Sequence, residues 1–239
     1  MNFGELVEAI DRQEKQAEYL ALPFDDRMNL AVDYAYSAKY NAKVHRLIKA
    51  AKAAKFRIAD AALANIHYEN RGLDKDLLLT LGNCGFISNN QPVVINGFTG
   101  SGKSYLACAI GRQACMQGFR SRYIRVPDLM ELLSEATLTK TGRSKLLKKF
   151  SGYRLLILDE WLLNDLTELE QHFFFELIER RYDCTSTIFC TQYKREDWHS
   201  RLGGGIHADS MMDRIVHTAA WVYSGNINMR ELQAKGVTP

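Results

Sequence analysis

Gly97 to Ser104 reads GFTGSGKS and fills every fixed position of the phosphate-binding pattern G-x-x-x-x-G-K-[ST]. The apolar run Pro92-Val93-Val94-Ile95 before it reads as a buried strand, and Tyr105 to Cys115 after it reads as a helix. A polyphosphate cradle needs that order, because the loop amides and the positive end of the helix then surround the phosphates. Glycines at 97, 100 and 102 let the backbone take positive φ and turn those amides inward. Lys103 is expected to reach the β- and γ-phosphates and Ser104 to ligate Mg²⁺. Phe98, Thr99, Ser101 and Tyr105 complete the stretch expected against the nucleotide.

The run Leu155-Leu156-Ile157-Leu158 ends in Asp159-Glu160. A parallel strand covered on both faces reads as continuous apolar sequence, and its C-terminal end opens onto the ligand crevice of an α/β sheet. Two carboxylates there fit a Walker B strand, with Asp159 in the Mg²⁺ shell and Glu160 polarising the attacking water. A further strand, Thr185 to Cys190, ends in Thr191-Gln192. It resembles the sensor 1 position of AAA+ ATPases, although Asn is commoner than Gln192 there. The segment Asp209 to Val216 resembles the helix that carries an arginine finger into a neighbouring subunit's site, which makes Arg214 a catalytic candidate. Read from its neighbours alone, Arg214 is a surface arginine paired with Asp213 or Asp209.

At 239 residues and 46% hydrophobic content, the chain has room for one large α/β domain and a small appendage. No stretch has the length of a membrane span and no N-terminal segment resembles a secretion signal, so a cytoplasmic location is expected. The cysteines at 84, 108, 115, 184 and 190 lack metal-ligand spacing and read as buried thiols. Net charge is only +3, but it is unevenly spread.

No acidic residue lies between Asp33 and Asp60, while Lys39, Lys43, Arg46, Lys49, Lys52 and Lys55 recur at three- and four-residue steps and Arg57 follows two residues on. The segment is alanine-rich, and Val44, Leu47, Ile48, Ala51 and Ala54 gather on one side, which predicts a basic amphipathic helix. A second acid-free zone holds Lys140, Arg143, Lys145, Lys148 and Lys149. Flanking a P-loop core, both zones are candidates for contact with the phosphate backbone of DNA.

Residues 1 to about 70 read as a helical, basic domain for DNA binding or oligomerisation, and 71 to 239 as the ATPase domain. In the second part helices alternate with strands at Val93–Asn96, Arg122–Arg125, Leu155–Leu158, Thr187–Cys190 and Ala220–Tyr223. That alternation predicts a parallel sheet with right-handed crossovers, flanked by helices.

Four stretches carry a family resemblance across nearly the whole chain: RGLDKDLLLTL (Arg71–Leu81), VVINGFTGSGKSYLACAIGRQACMQGF (Val93–Phe119), YIRVPDLMELL (Tyr123–Leu133) and MMDRIVH (Met211–His217). The sequence resembles the IstB-like transposition helper ATPases, a family of the AAA+ initiator clade related to the DnaC helicase loaders. The resemblance implies an ATP- and Mg²⁺-dependent hydrolase with no separate C-terminal lid. It also implies homo-oligomers with ATP sites at subunit interfaces, bound to duplex DNA, that stimulate an insertion-sequence transposase. Two alternatives stand beside it: a helicase loader that binds single-stranded DNA, and a non-hydrolysing, ATP-switched adaptor. Arg230, in the tail after Tyr223, could approach nucleotide.

Overall fold

The structure is a computed structural model that describes residues 3–49, 54–69 and 71–234. It divides into two compact units, 1–50 and 51–239.

The first unit is helical. Helices α1 (Gly4–Glu14) and α2 (Ala17–Leu20) lead to α3 (Phe24–Lys49). Asp25 and Asp26 occupy the first turn of α3, where carboxylates favour the positive helix end. Gln13 Nε2 donates to the Arg27 carbonyl at 2.9 Å and fastens α1 to the start of α3.

The second unit is a five-stranded parallel sheet in the order β2-β3-β4-β1-β5, made of β1 (Val93–Asn96), β2 (Ser121–Arg125), β3 (Leu155–Asp159), β4 (Ser186–Thr191) and β5 (Ala220–Tyr223). Each strand lies where the sequence predicts one, within a residue or two at its ends. Successive side chains point to opposite faces, and both faces are covered. Val93, Ile95, Leu155 and Ile157 pack with Leu106 and Ile110 of the Lys103–Met116 helix. Val94, Leu156 and Leu158 pack on the other face with Leu129, Phe173 and Trp161. Trimming such a buried side chain, as in Ile157→Ala, costs about 2–5 kcal/mol. The covering helix Glu168–Arg181 starts at a capping box, in which Thr167 and Glu170 satisfy each other's backbone.

The boundary expected near residue 70 falls inside the second unit, because Phe56, Ile58, Ala61 and Ile66 pack into its core. Among the described residues, only the short helix Met229–Ala234 follows β5. Four cysteines are buried, and Cys184, expected to be buried as well, is exposed because it lies in the turn before β4. No described helix is long and apolar enough to cross a membrane.

Candidate functional site

The P-loop leaves the C-terminal end of β1, between β4 and β5, at the edge where parallel sheets hold ligands. Gly102 has φ 93°, a left-handed conformation that a side chain would strain, and a Cβ there would sit 3.1 Å from Arg71 Nη2. The Lys103 ammonium folds back along the loop and donates to the carbonyls of Gly97 (2.7 Å) and Phe98 (2.8 Å). Burial pushes its pKa below the ordinary lysine value, with Cys190 and Asp159 opposing and Arg230 adding to the shift. An anion in the loop would therefore favour the charged form.

Asp159, at the end of β3, is 1% exposed and accepts three hydrogen bonds. Ser104 Oγ and Tyr123 Oη donate to Oδ2 at 2.6 and 2.5 Å, and the Glu160 amide donates to Oδ1 at 2.9 Å. Hydroxyl and carboxylate oxygens converging beside a phosphate loop are the donor set a hard divalent cation takes. Magnesium usually draws its remaining ligands from phosphate and water, so one carboxylate suffices.

Glu160 follows with φ 60°, a left-handed backbone that costs a non-glycine residue about 1–3 kcal/mol. Its carboxylate accepts from Arg125 Nε (3.0 Å) and Nη2 (2.8 Å), and Arg57 Nη1 stands 3.7 Å away. Gln192, just past β4, accepts a 3.0 Å hydrogen bond from Thr99 Oγ1, which ties the loop to the neighbouring strand end.

A third group of contacts holds the P-loop from behind. Arg71 is 3% exposed, and its guanidinium donates to the carbonyls of His67 (3.0 Å), Ser101 (2.7 Å) and Ser224 (2.8 Å). The Ser101 and Ser224 hydroxyls share a 2.6 Å hydrogen bond, and the Met229 amide donates to the Gly100 carbonyl at 2.9 Å. On the other side of the loop lies a cavity of about 390 Å³ bordered by Ile58, His67, Lys103, Ser104, Asp159, Glu160, Gln192 and Arg230. That volume lies in the range of small-molecule sites.

The structure thus gathers Thr99, Gly100, Gly102, Lys103, Ser104, Tyr105, Asp159, Glu160 and Gln192 around one cavity. Arg214 is elsewhere. It borders a small groove with Pro92 and Thr185, which precede β1 and β4, at the sheet end opposite the P-loop. Its partners are Glu179 (2.5 Å) and Ser210, not Asp213 or Asp209, and Asp209 lies 3.1 Å from His199 instead.

The basic residues also separate. Lys43 and Arg46 are exposed on α3, and Lys140, Lys145, Lys148 and Lys149 are exposed around the Gly142–Ser151 helix, whose Leu146, Leu147 and Phe150 face inward. Arg143 pairs with Glu176 at 3.1 Å. The Lys49 side chain and Lys52 lie outside the described residues. At Lys55 the backbone turns left-handed (φ 49°), so Arg57 leaves the predicted basic helix and faces Glu160. Tyr123, Arg125 and Arg71 escaped the sequence reading as site residues. Tyr123 and Arg125 share parity on β2, a signal that becomes usable only once β2 is known to lie beside β3.

Sheet order, P-loop and carboxylate strand together define the AAA+ P-loop fold. The DnaC helicase loader superposes with a TM-score of 0.57 at 23% identity, over 69% of this chain and 96% of that one. AMPPCP-bound DnaA from Aquifex aeolicus gives 0.59 at 20% identity, over 76% and 55%. Residues 1–236 match the family described as IstB-like ATP binding protein. The chain belongs to that family. An insertion-sequence ATP-binding protein of Sinorhizobium fredii, y4pL, is 30% identical over 98% of this chain and 94% of its own length. The ATP-binding protein of insertion sequence IS1162 from Pseudomonas fluorescens is 33% identical over 80% and 82%.

Proposed function

We propose that this chain is an ATP hydrolase that assembles on duplex DNA as a homo-oligomer, with ATP sites at subunit interfaces, and directs a partner insertion-sequence transposase in the cytoplasm. The observation that carries the reading is the convergence of Lys103, Ser104, Asp159 and Glu160 on one cavity at the end of the sheet.

In this reading the loop amides from Gly97 to Tyr105 bind the phosphates and Lys103 turns from the loop carbonyls to the β- and γ-oxygens. Ser104 and Asp159 hold Mg²⁺, which when bound neutralises charge developing on the phosphate oxygens. Glu160 orients and deprotonates the attacking water once its carboxylate is released from Arg125, and Gln192 touches the γ-phosphate or that water. Arg214 lies far from its own P-loop, as an arginine acting on a neighbour's phosphate would. The insertion-sequence names of the relatives support the transposase partner, and the exposed lysines on the Gly142–Ser151 helix support contact with a DNA backbone.

The test compares wild type with Glu160→Gln for ATP binding and turnover, with and without duplex or single-stranded DNA. Retained binding with turnover reduced at least a hundredfold is expected, in line with loss of a general base. Parental turnover in Glu160→Gln would remove water activation from Glu160. Stimulation by single strands alone would favour a helicase-loader function.

A further inference from the structure

Tyr123 lies on β2, opposite Ile157 of β3, with its ring in the core beneath the P-loop helix. Its hydroxyl reaches the tip of the neighbouring strand and donates to Asp159 Oδ2 at 2.5 Å, within the range of charge-assisted O–H···O⁻ bonds. Packing alone would be served by phenylalanine. The hydroxyl is the informative atom, because it meets the same oxygen that accepts from Ser104.

A carboxylate offers about four lone-pair positions. Tyr123 and Ser104 fill those of Oδ2 and the Glu160 amide fills one on Oδ1, so one remains for a cation or its water. A carboxylate held at three points has a fixed orientation, and the Tyr123 hydroxyl reaches Asp159 from the buried core side, away from the cavity. Ser104 has a single proton. While that proton is committed to Asp159, the hydroxyl lone pairs stay free for a metal.

From this geometry we infer that Tyr123 is a positioning residue for the divalent cation, orienting Asp159 so that Ser104 and the carboxylate together form the metal site. The inference rests on the ATP–Mg²⁺ reading above. Groups that orient metal ligands by hydrogen bonding commonly change metal affinity about 10- to 100-fold when removed.

The experiment measures equilibrium binding of a fluorescent ATP analogue to the full chain, first in EDTA and then across a Mg²⁺ titration, for wild type and Tyr123→Phe. The expected result is unchanged affinity in EDTA and a Mg²⁺ midpoint raised about tenfold. An unchanged or lowered midpoint overturns the assignment, as does an equal loss of binding with and without Mg²⁺, the mark of a purely structural role. If wild type binds the analogue without any Mg²⁺ effect, the metal reading of Asp159 falls and this assignment with it. Tyr123→Met, which keeps apolar bulk without the donor, should show the same shift. Unfolding of both variants would make Tyr123 a fold residue and overturn the assignment.

Discussion

Arg125 and Glu160 form a two-point ion pair, Nε on Oε1 at 3.0 Å and Nη2 on Oε2 at 2.8 Å, at the mouth of the nucleotide cavity. The carboxylate proposed to activate water is therefore held by an arginine from the adjacent strand. Both side chains are partly exposed, 41% and 24%, so solvent screening keeps the pair at about 1 kcal/mol or less. Arg125→Ala should accordingly raise basal ATP turnover, by up to about fivefold. Steady-state phosphate release without DNA measures this, and a fall in rate would show that Arg125 assists turnover instead of restraining it.

Lys103→Ala removes the half-buried ammonium proposed to turn from the loop carbonyls to the phosphates. Nucleotide binding should weaken and turnover should vanish, while the unfolding temperature without nucleotide stays close to that of wild type. Titration calorimetry and a thermal melt separate the two effects. Full ATP affinity in this variant would contradict the placement of Lys103.

The lysines at 145, 148 and 149 project from a helix whose apolar side is buried. Replacing all three with glutamine should lower DNA affinity and reduce the slope of log affinity against log salt by about 2 to 3, near 0.9 per lost phosphate contact. Fluorescence anisotropy over a salt series gives the slope. The same series on Lys43→Gln with Arg46→Gln tests α3 independently.

Arg214→Ala should keep ATP binding and lose DNA-stimulated hydrolysis by a factor of about 10³. Mixing it with Lys103→Ala should restore measurable turnover, because some interfaces then pair an intact P-loop with an intact arginine. Co-assembly on DNA without recovery would take that role away from Arg214.

Arg71 satisfies three backbone carbonyls from three segments, and each buried acceptor left unpaired costs about 1–3 kcal/mol. Arg71→Ala should lower the thermal midpoint and weaken ATP binding together. Loss of stability with normal nucleotide affinity would show that Ser101 holds its place without it.

The strands and the P-loop were legible because their signals are local: continuous apolar runs, fixed glycines and a lysine at set spacing. Glu160's neighbours were not. Arg125 lies in a predicted strand, yet its meaning depends on β2 lying against β3, which no local pattern states. Arg57 misled for a different reason. It closes the basic run that the sequence reads as one helix, but at Lys55 one residue in a left-handed conformation redirects the chain. The partner of Arg214 was likewise a matter of tertiary packing, since Glu179 sits on another helix.

Trp161 directly follows Glu160, is 1% exposed, and packs edge-on against Phe174 and Phe189 at 4.9 Å. Trp198 lies 6.1 Å from it, and Trp221 lies 5.8 Å from Trp198. These are all three tryptophans of the chain, strung together from the wall of the nucleotide cavity into the core. The molecule therefore carries its own optical probe. Ultraviolet excitation interrogates one coupled chromophore string anchored beside Glu160, and a shift in its emission on adding nucleotide reports events at that carboxylate without any dye or tag.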